Sequence, residues 1–497
     1  MTTTPHFFRP DDAFVGDVIP FDDDGTAWLF YLADERHESV ASDRGQGMPW
    51  RAVTTTDFVH FVDRGCVLPS GGRSAEDYDC YTGSVVRDDS GTAHLFYTGH
   101  NPNVRSHDGD LQIVCHATSN GDLTQWVKHP EWSFGALSGY AAEDWRDPFV
   151  FRPHPDGPWW MLLCARRESA PARRGGLVAR LVSDDLVAWH DAKPLWDSRR
   201  FIAQECPDVF QWGEWWYLVY SEFSDSFQAR YRIARSPHGP WLAPERDTVD
   251  SRAFYAPKTL ELDGERYFVG WIATREGSAD EGAWQWAGTL SALRATQHPD
   301  GSLGFGLPRA VTALYDQGDH RSVIGALDPL DGAHAKPGAG SGDRYSAWIG
   351  PELPSRALIT AEFDVHSGTQ ACGLLIRASA DGEETYVLRL EPPRNRLVFD
   401  RWPRGRTGGE QWQIRGDVPH SVELERPLPV GLFTVGRVIV QVHLDADLLV
   451  ASVNDEVALS TRINDRAGGR LGVFAIDGGF TVSRLDVATI AETKNHP

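Results

Sequence analysis

A short aromatic-rich apolar run recurs five times along the chain: LFYLADER from Leu29, LFYTGHNP from Leu95, WWMLLCARRE from Trp159, WWYLVYSEF from Trp215 and YFVGWIATRE from Tyr267. Upstream of each lies a second apolar run, in turn VGDVIPF, TGSVVRD, RDPFVF, ECPDVF and YAPKTLEL. The turns between the two runs are rich in Gly and Asp, as in DDDGTA, DDSGTA and LDGER. Such residues accept the backbone angles of tight hairpins, so each pair of runs predicts two antiparallel strands. A third strand follows a polar turn in TTDFVHF, NGDLTQW and SDDLVAWH, and more weakly in SPHGPW. Helical periodicity is almost absent. The unit is a small antiparallel meander, and five such meanders bury their faces best when arranged radially as the blades of a propeller.

Near residue 311 this rhythm stops, and KPGAGSG (336–342) has the composition of a linker. Beyond it, period-two alternation marks about eight strands, among them ALITAEFDV, ACGLLIRAS, TYVLRLE, RLVFDRW and RVIVQVHLD, a β-sandwich pattern. The expected architecture is all-β: a five-bladed β-propeller over residues 1–312, a linker over 313–342 and a C-terminal β-sandwich over 343–497.

Composition narrows the chemistry. With 70 Asp and Glu against 48 Lys and Arg, the chain carries a formal charge of −22, which disfavours nucleic acid and anionic membranes and suits a neutral small-molecule or oligosaccharide substrate. The 55 Trp, Phe and Tyr residues (19, 23 and 13) include rings able to stack on sugars, although most belong to sheet cores. Six cysteines lie scattered with no CxxC pair, so neither a zinc site nor a disulfide framework is expected. No basic and apolar leader opens the sequence and no apolar run approaches a membrane span, which predicts a cytoplasmic protein with reduced thiols. Oligomeric state is not legible.

The first strand of each propeller blade lines the central channel, so residues distant in sequence converge there. Three first strands begin with acids: Asp17 in VGDV, Asp147 in WRDP and Glu205 in QECPD. The second and fifth blades instead offer Ser84 in YTGS and Lys258 in YAPK. One such acid alone would be an ordinary turn residue. Three at matched repeats suit glycoside hydrolysis, where one carboxylate attacks or activates and another transfers a proton. Cys206 adjoins Glu205, but no His is spaced to activate it. No metal or cofactor is called for.

At these residues the chain resembles glycoside hydrolase family 32, the invertase, inulinase and levanase group. WRDP resembles that family's Arg-Asp-Pro motif and QEC its Glu-Cys motif, while CYTGSVV, TTDFVHF, FYAPKT, GWI and LPRAV fit its further strands. The resemblance covers nearly the whole chain. It implies a retaining hydrolase or fructosyltransferase of β-fructofuranosides: Asp17 as nucleophile, Glu205 as acid/base, and Asp147 gripping sugar hydroxyls with Arg146 beside it. Trp50, Tyr81, Ser84, Tyr255, Lys258 and Trp271, on or near the repeated strands, are further substrate-binding candidates.

Two departures stand out. The family's Asn-Asp-Pro-Asn signature is here Gly16-Asp17-Val18-Ile19, and its Gln after the first-blade Phe-Tyr is here Leu32. The amides that grip the furanose are therefore missing. Asp34, Arg36 and His37 are candidates to replace them, and a short or unusual fructoside is expected in preference to sucrose. Two other readings fit the same repeats: an inverting arabinofuranosidase or xylosidase on a related five-bladed scaffold, and a non-catalytic sugar-binding propeller.

Overall fold

The computed structural model describes residues 6–36, 47–106, 109–330, 342–404, 423–434 and 436–491. It is all-β apart from one α-helix and a few single-turn 3-10 segments. The chain divides into two compact units: Met1–Ala273 with Trp286–Ser302, and Thr274–Gln285 with Leu303–Pro497.

The first unit is the five-bladed propeller. Its blades begin with the strands Phe14–Asp23, Asp79–Arg87, Tyr140–Phe151, Glu205–Trp212 and Phe254–Leu262. Each pairs antiparallel with the next strand in the chain, which carries the aromatic run. The predicted turn chemistry is present in detail. Asp24 and Gly25 both have positive φ, and so do Asp263 and Gly264, as a two-residue hairpin turn requires. The polar turns before the third-element aromatics also repeat. Thr55 and Asp57 cap the backbone around a buried, positive-φ Phe58, and Ser183 and Asp185 do the same around Leu186. Blades pack through apolar layers such as Phe30, Trp50, Leu95 and Tyr97 between the first and second. The ring closes where the first described residues meet the last blade: Phe8 bridges Leu290, Val15 pairs with Gly288, and His6 Nε2 bonds Ala292 O at 2.7 Å.

The second unit is a β-sandwich of a six-stranded and a seven-stranded sheet. It is larger than the strand pattern predicted, because Gly342–Glu352, Val457–Arg462 and short edge strands such as His320–Ser322 and Asp328–Pro329 add to it. The stretch expected as a linker over 313–342 is revised accordingly. The helix Arg309–Asp316 buries Val311 and Tyr315, and Tyr315 bonds His443 Nε2 at 2.8 Å. His320–Ser322 then pairs with Phe480–Ala488. Residues 331–341, including most of KPGAGSG, lie outside the described residues. The excursion 274–285 belongs to this unit because Asp280 accepts bonds from Tyr386 Oη and Asn464 N. No helix among the described residues is long and apolar enough to cross a membrane.

Candidate active site

At matching positions, every inner strand of the propeller carries one extra residue against its neighbour. The register slips between Gly16 and Val18, Tyr81 and Gly83, Arg146 and Phe149, Glu205 and Asp208, and Tyr255 and Lys258. A bulge bends a strand and re-aims its side chains. At the third, fourth and fifth bulges Asp147, Cys206 and Ala256 adopt φ of 59°, 50° and 49°, a costly conformation for residues other than glycine. The bulged residues are thus Asp17, Thr82, Asp147, Cys206 and Ala256. This corrects the expected equivalence of the three acids. Asp17 and Asp147 share a repeat position, whereas Glu205 sits one residue earlier, level with Gly16, Tyr81, Arg146 and Tyr255.

The offset brings the three acids to one cavity of about 530 Å³, lined by Asp17, Asp147, Glu205 and Arg146 together with Tyr81 and Tyr255. Asp17 is held from both sides. Thr82 Oγ1 donates to its Oδ2 at 3.0 Å and Trp271 Nε1 to its Oδ1 at 3.1 Å. Burial raises its pKa above the usual carboxylate range. The charge of Asp147 adds to the rise, and the two hydrogen bonds and Lys258 oppose it. Asp147 accepts the Cys206 amide at 2.9 Å, and its own amide donates to Thr98 Oγ1.

Glu205 occupies a different setting. Arg146 Nη2 donates to its Oε1 at 3.0 Å and Tyr255 Oη to its Oε2 at 2.7 Å. About a fifth of its side chain (21%) reaches solvent, yet the protein crowding the carboxyl pushes its pKa up to about 7, with Arg146 pulling it down and Asp147 pushing it up. Arg146 is locked in turn: Nη1 binds Asp144 at 2.6 Å, and Arg166 Nε binds the other oxygen of Asp144 at 2.5 Å. The result is a carboxyl that both holds and yields a proton near neutrality, beside a second carboxyl whose two oxygens are fixed by hydrogen bonds.

The neighbouring thiol takes no such part. Cys206 Sγ lies 3.7 Å from Asp17 Oδ2, and burial together with that carboxylate keeps its pKa well above the usual thiol range. It therefore stays neutral and non-nucleophilic.

The other candidates divide. Tyr81 and Tyr255 line the cavity, and Trp271 is buried behind Asp17 as its hydrogen-bond donor. Trp50, Ser84 and Lys258 do not reach the cavity wall, which corrects their expected substrate contacts. Trp50 is fully buried and donates Nε1 to the carbonyls of Cys80 and Tyr81. Ser84 staples two inner strands, donating to Pro148 O and accepting from Val150 N, both at 2.9 Å. Lys258 is buried below, with Nζ 3.3 Å from Pro207 O, and acts on Asp17 through its charge alone. Asp34 and Arg36 do not line the cavity either. They form an ion pair at 3.2 Å, and Arg36 Nη2 donates to Trp286 O at 2.7 Å. His37 lies outside the described residues.

The sequence reading missed Trp286. A Cβ at Gly16 would stand 2.3 Å from Trp286 Cη2, so the indole occupies the space that any side chain at position 16 would need. Trp286 is 38% exposed, lines the cavity and meets Trp271 edge-on at 6.1 Å. Tyr255 and Phe227, stacked at 4.0 Å, extend this aromatic wall. Trp286 comes from a third strand and Phe227 from a loop, so a search of first strands could not find them. Asp144 was within reach: in EDWRDP it precedes Arg146 by two residues, on the same face of one strand. Among the described residues, no grouping of three or more His, Cys, Asp or Glu could hold a metal ion.

Comparison with known proteins follows this geometry. The model of the glycosyl hydrolases family 32 N-terminal domain matches residues 18–303. The chain is 28% identical over 290 residues to the raffinose invertase of Escherichia coli, covering 55% of this chain and 58% of that protein. It is 27% identical over 329 residues to the sucrose-6-phosphate hydrolase of the same organism, covering 61% and 64%. The match therefore spans about three fifths of these relatives. Among solved structures, exo-inulinase from Aspergillus awamori aligns with a TM-score of 0.72 at 17% identity, covering 98% of both chains. Fructan 1-exohydrolase IIa from Cichorium intybus gives 0.72 at 17%, covering 98% of this chain and 97% of that one. At such identities these structures speak for the fold.

Proposed function

The chain belongs to glycosyl hydrolase family 32, whose domain model spans more than half of it, and from that premise we propose that it cleaves β-fructofuranosides with retention of configuration. The observation that carries this reading is the division of labour between two carboxyls in one cavity. Asp17, with its oxygens fixed by Thr82 and Trp271, is the nucleophile. Glu205, poised at about 7 between Arg146 and Tyr255, is the acid/base.

In the first step Glu205 gives its proton to the leaving oxygen while Asp17 bonds the anomeric carbon of the fructosyl group. The ring passes through an oxocarbenium-like transition state that the Asp147 carboxylate stabilises. Arg146 keeps the resulting Glu205 carboxylate stable, so the group can then take a proton from water as that water releases fructose. A saccharide acceptor in place of water would give transfer. The curated relatives are, by name, a raffinose invertase and sucrose-6-phosphate hydrolases. Gly16, Leu32 and the Trp286 face give this cavity an apolar flank beside the nucleophile. The favoured substrates on that account are short fructo-oligosaccharides or other fructosides bound by stacking, with sucrose a poor one.

The test is direct. The protein is incubated with sucrose, raffinose, 1-kestose and an aryl arabinofuranoside, and the first-formed sugar is followed by NMR before mutarotation. Early β-fructofuranose from a fructoside supports the proposal. Initial release of the opposite anomer, or cleavage of the arabinofuranoside alone, overturns it.

A further inference from the structure

The sandwich unit contains a second cavity, of about 400 Å³, on one face of its seven-stranded sheet. That face is built by strand alternation. Trp348 turns into the inter-sheet core, where it meets Phe480 edge-on, while Tyr345, Ala347 and Ile349 point the other way. Leu375, Val387 and Phe474 join them in a small apolar cluster separate from the main core.

Over this floor stand two rings whose exposure is unusual for their size, Tyr345 at 53% and Trp402 at 38%. Tyr345 lies nearly parallel to Phe474 at 5.9 Å, so one of its faces is backed by protein. The polar groups at the other end are held in place. Asp400 is buried and receives Arg404 Nη2 at 2.5 Å, the Arg401 amide at 2.9 Å and Arg389 Nη1 at 3.5 Å. Two guanidinium planes are thus fixed at the edge of an aromatic floor. Among the described residues the lining carries three carboxylates (Asp381, Glu383, Asp400) and three guanidiniums (Arg389, Arg401, Arg404), whose formal charges cancel.

We propose that this cavity is a second, non-catalytic binding site for a neutral saccharide. Ring faces accept the C–H side of a sugar, and fixed planar donors read adjacent hydroxyl pairs. The described lining, balanced in charge, offers nothing net to a phosphate, a nucleic acid or an acidic peptide, and the volume is that of a small-ligand pocket. Such a site, tethered to the hydrolytic unit, raises the effective concentration of a polymeric substrate. The identity of the sugar as a fructan rests on the proposed function; the neutral-saccharide class does not.

The experiment uses the full chain carrying Glu205→Gln, run in native gels containing inulin, arabinan or polygalacturonate. Inulin is expected to retard it, and adding Trp402→Ala or Tyr345→Ala should weaken the apparent dissociation constant roughly three- to tenfold. Trp402→Phe, which keeps a ring, should lose less, and unchanged melting would exclude misfolding. In the active enzyme the same variants should raise KM for inulin and leave kcat/KM for 1-kestose within about twofold. Equal mobility of all variants in every neutral polymer overturns the site. Stronger retardation by polygalacturonate that depends on Trp402 overturns the neutral ligand class. Ring-dependent retardation by a neutral polymer, with no fructoside cleaved by the active chain, overturns the proposed function and leaves the site standing.

Discussion

Two cavities of this protein, one in each unit, use the same residue types to opposite ends. Among the described residues, Asp17, Glu143, Asp144, Asp147 and Glu205 line the propeller cavity with one guanidinium, that of Arg146. In the sandwich cavity the described carboxylates and guanidiniums are equal in number. Burial first, and then the Asp147 charge, raise the pKa values of Asp17 and Glu205, and a raised pKa is what lets a carboxyl carry a proton at neutral pH. Balanced charges hold each other still. On the proposals above, the acid-rich cavity is where bonds are made and broken and the balanced one is where a saccharide is held.

The largest effect expected from breaking this contrast is at Asp17. Asp17→Asn keeps the size of the side chain but removes the attacking charge, so turnover should fall by at least about 10³-fold with melting unchanged. Steady-state kinetics and calorimetry on one preparation decide it, and residual turnover of more than a few per cent would remove Asp17 from the mechanism. Glu205→Ala should come next. A loss on the order of 10²–10⁴-fold is expected on natural fructosides, with aryl fructosides of good leaving ability largely spared. Equal losses on both would reassign the acid.

The pH profile sharpens the same point. On the proposed mechanism Glu205 must be protonated for the first step, and burial pushes its pKa up to about 7, so kcat/KM should fall as pH rises through that value. Asp17 must be ionised, and its pKa is raised, so the acid limb should lie above the ordinary carboxylate range. Tyr255 donates a bond that lowers the Glu205 pKa. Tyr255→Phe should therefore move the basic limb to higher pH, and an unmoved limb would mean that another group sets it.

The smallest effect is at Gly16. Gly16→Ala places a methyl group 2.3 Å from the Trp286 ring, which must give way. About a tenfold loss in kcat/KM for short fructosides is expected, against little change in Trp286→Ala carrying the same substitution. Additive losses in the double variant would show that the two residues act apart.

Much of this was legible in the sequence, for reasons that can be named. The hairpin turns and the strand alternation depend on local chemistry, so the blades could be read from DDDGTA or LDGER, and the sandwich from its period-two strands. The acids were found because repeats converge on a channel. What stayed hidden was non-local. A bulge is a relation between two strands, so neither the one-residue offset of Glu205 nor the left-handed Asp147 and Cys206 could be seen in one strand alone. Trp50 and Lys258 looked like site residues by position, but their side chains turn into the interior. The role of Gly16 became visible only with the ring that fills its place, which comes from 270 residues further along the chain.

The closure of the propeller ring bears on how the protein is made. His6 and its partner Ala292 are separated by 286 residues, so the strand that completes the last blade is synthesised long before the residues it pairs with. At roughly 5–20 residues per second, the ribosome leaves that strand unmatched for about 15–60 s. Through this interval the segment lacks its fifth-blade partner, and the four earlier blades can assemble while the ring stays open. The propeller is in this respect a fold whose final step is timed by translation, and a chaperone that shields the leading strand should matter most before the fifth blade emerges.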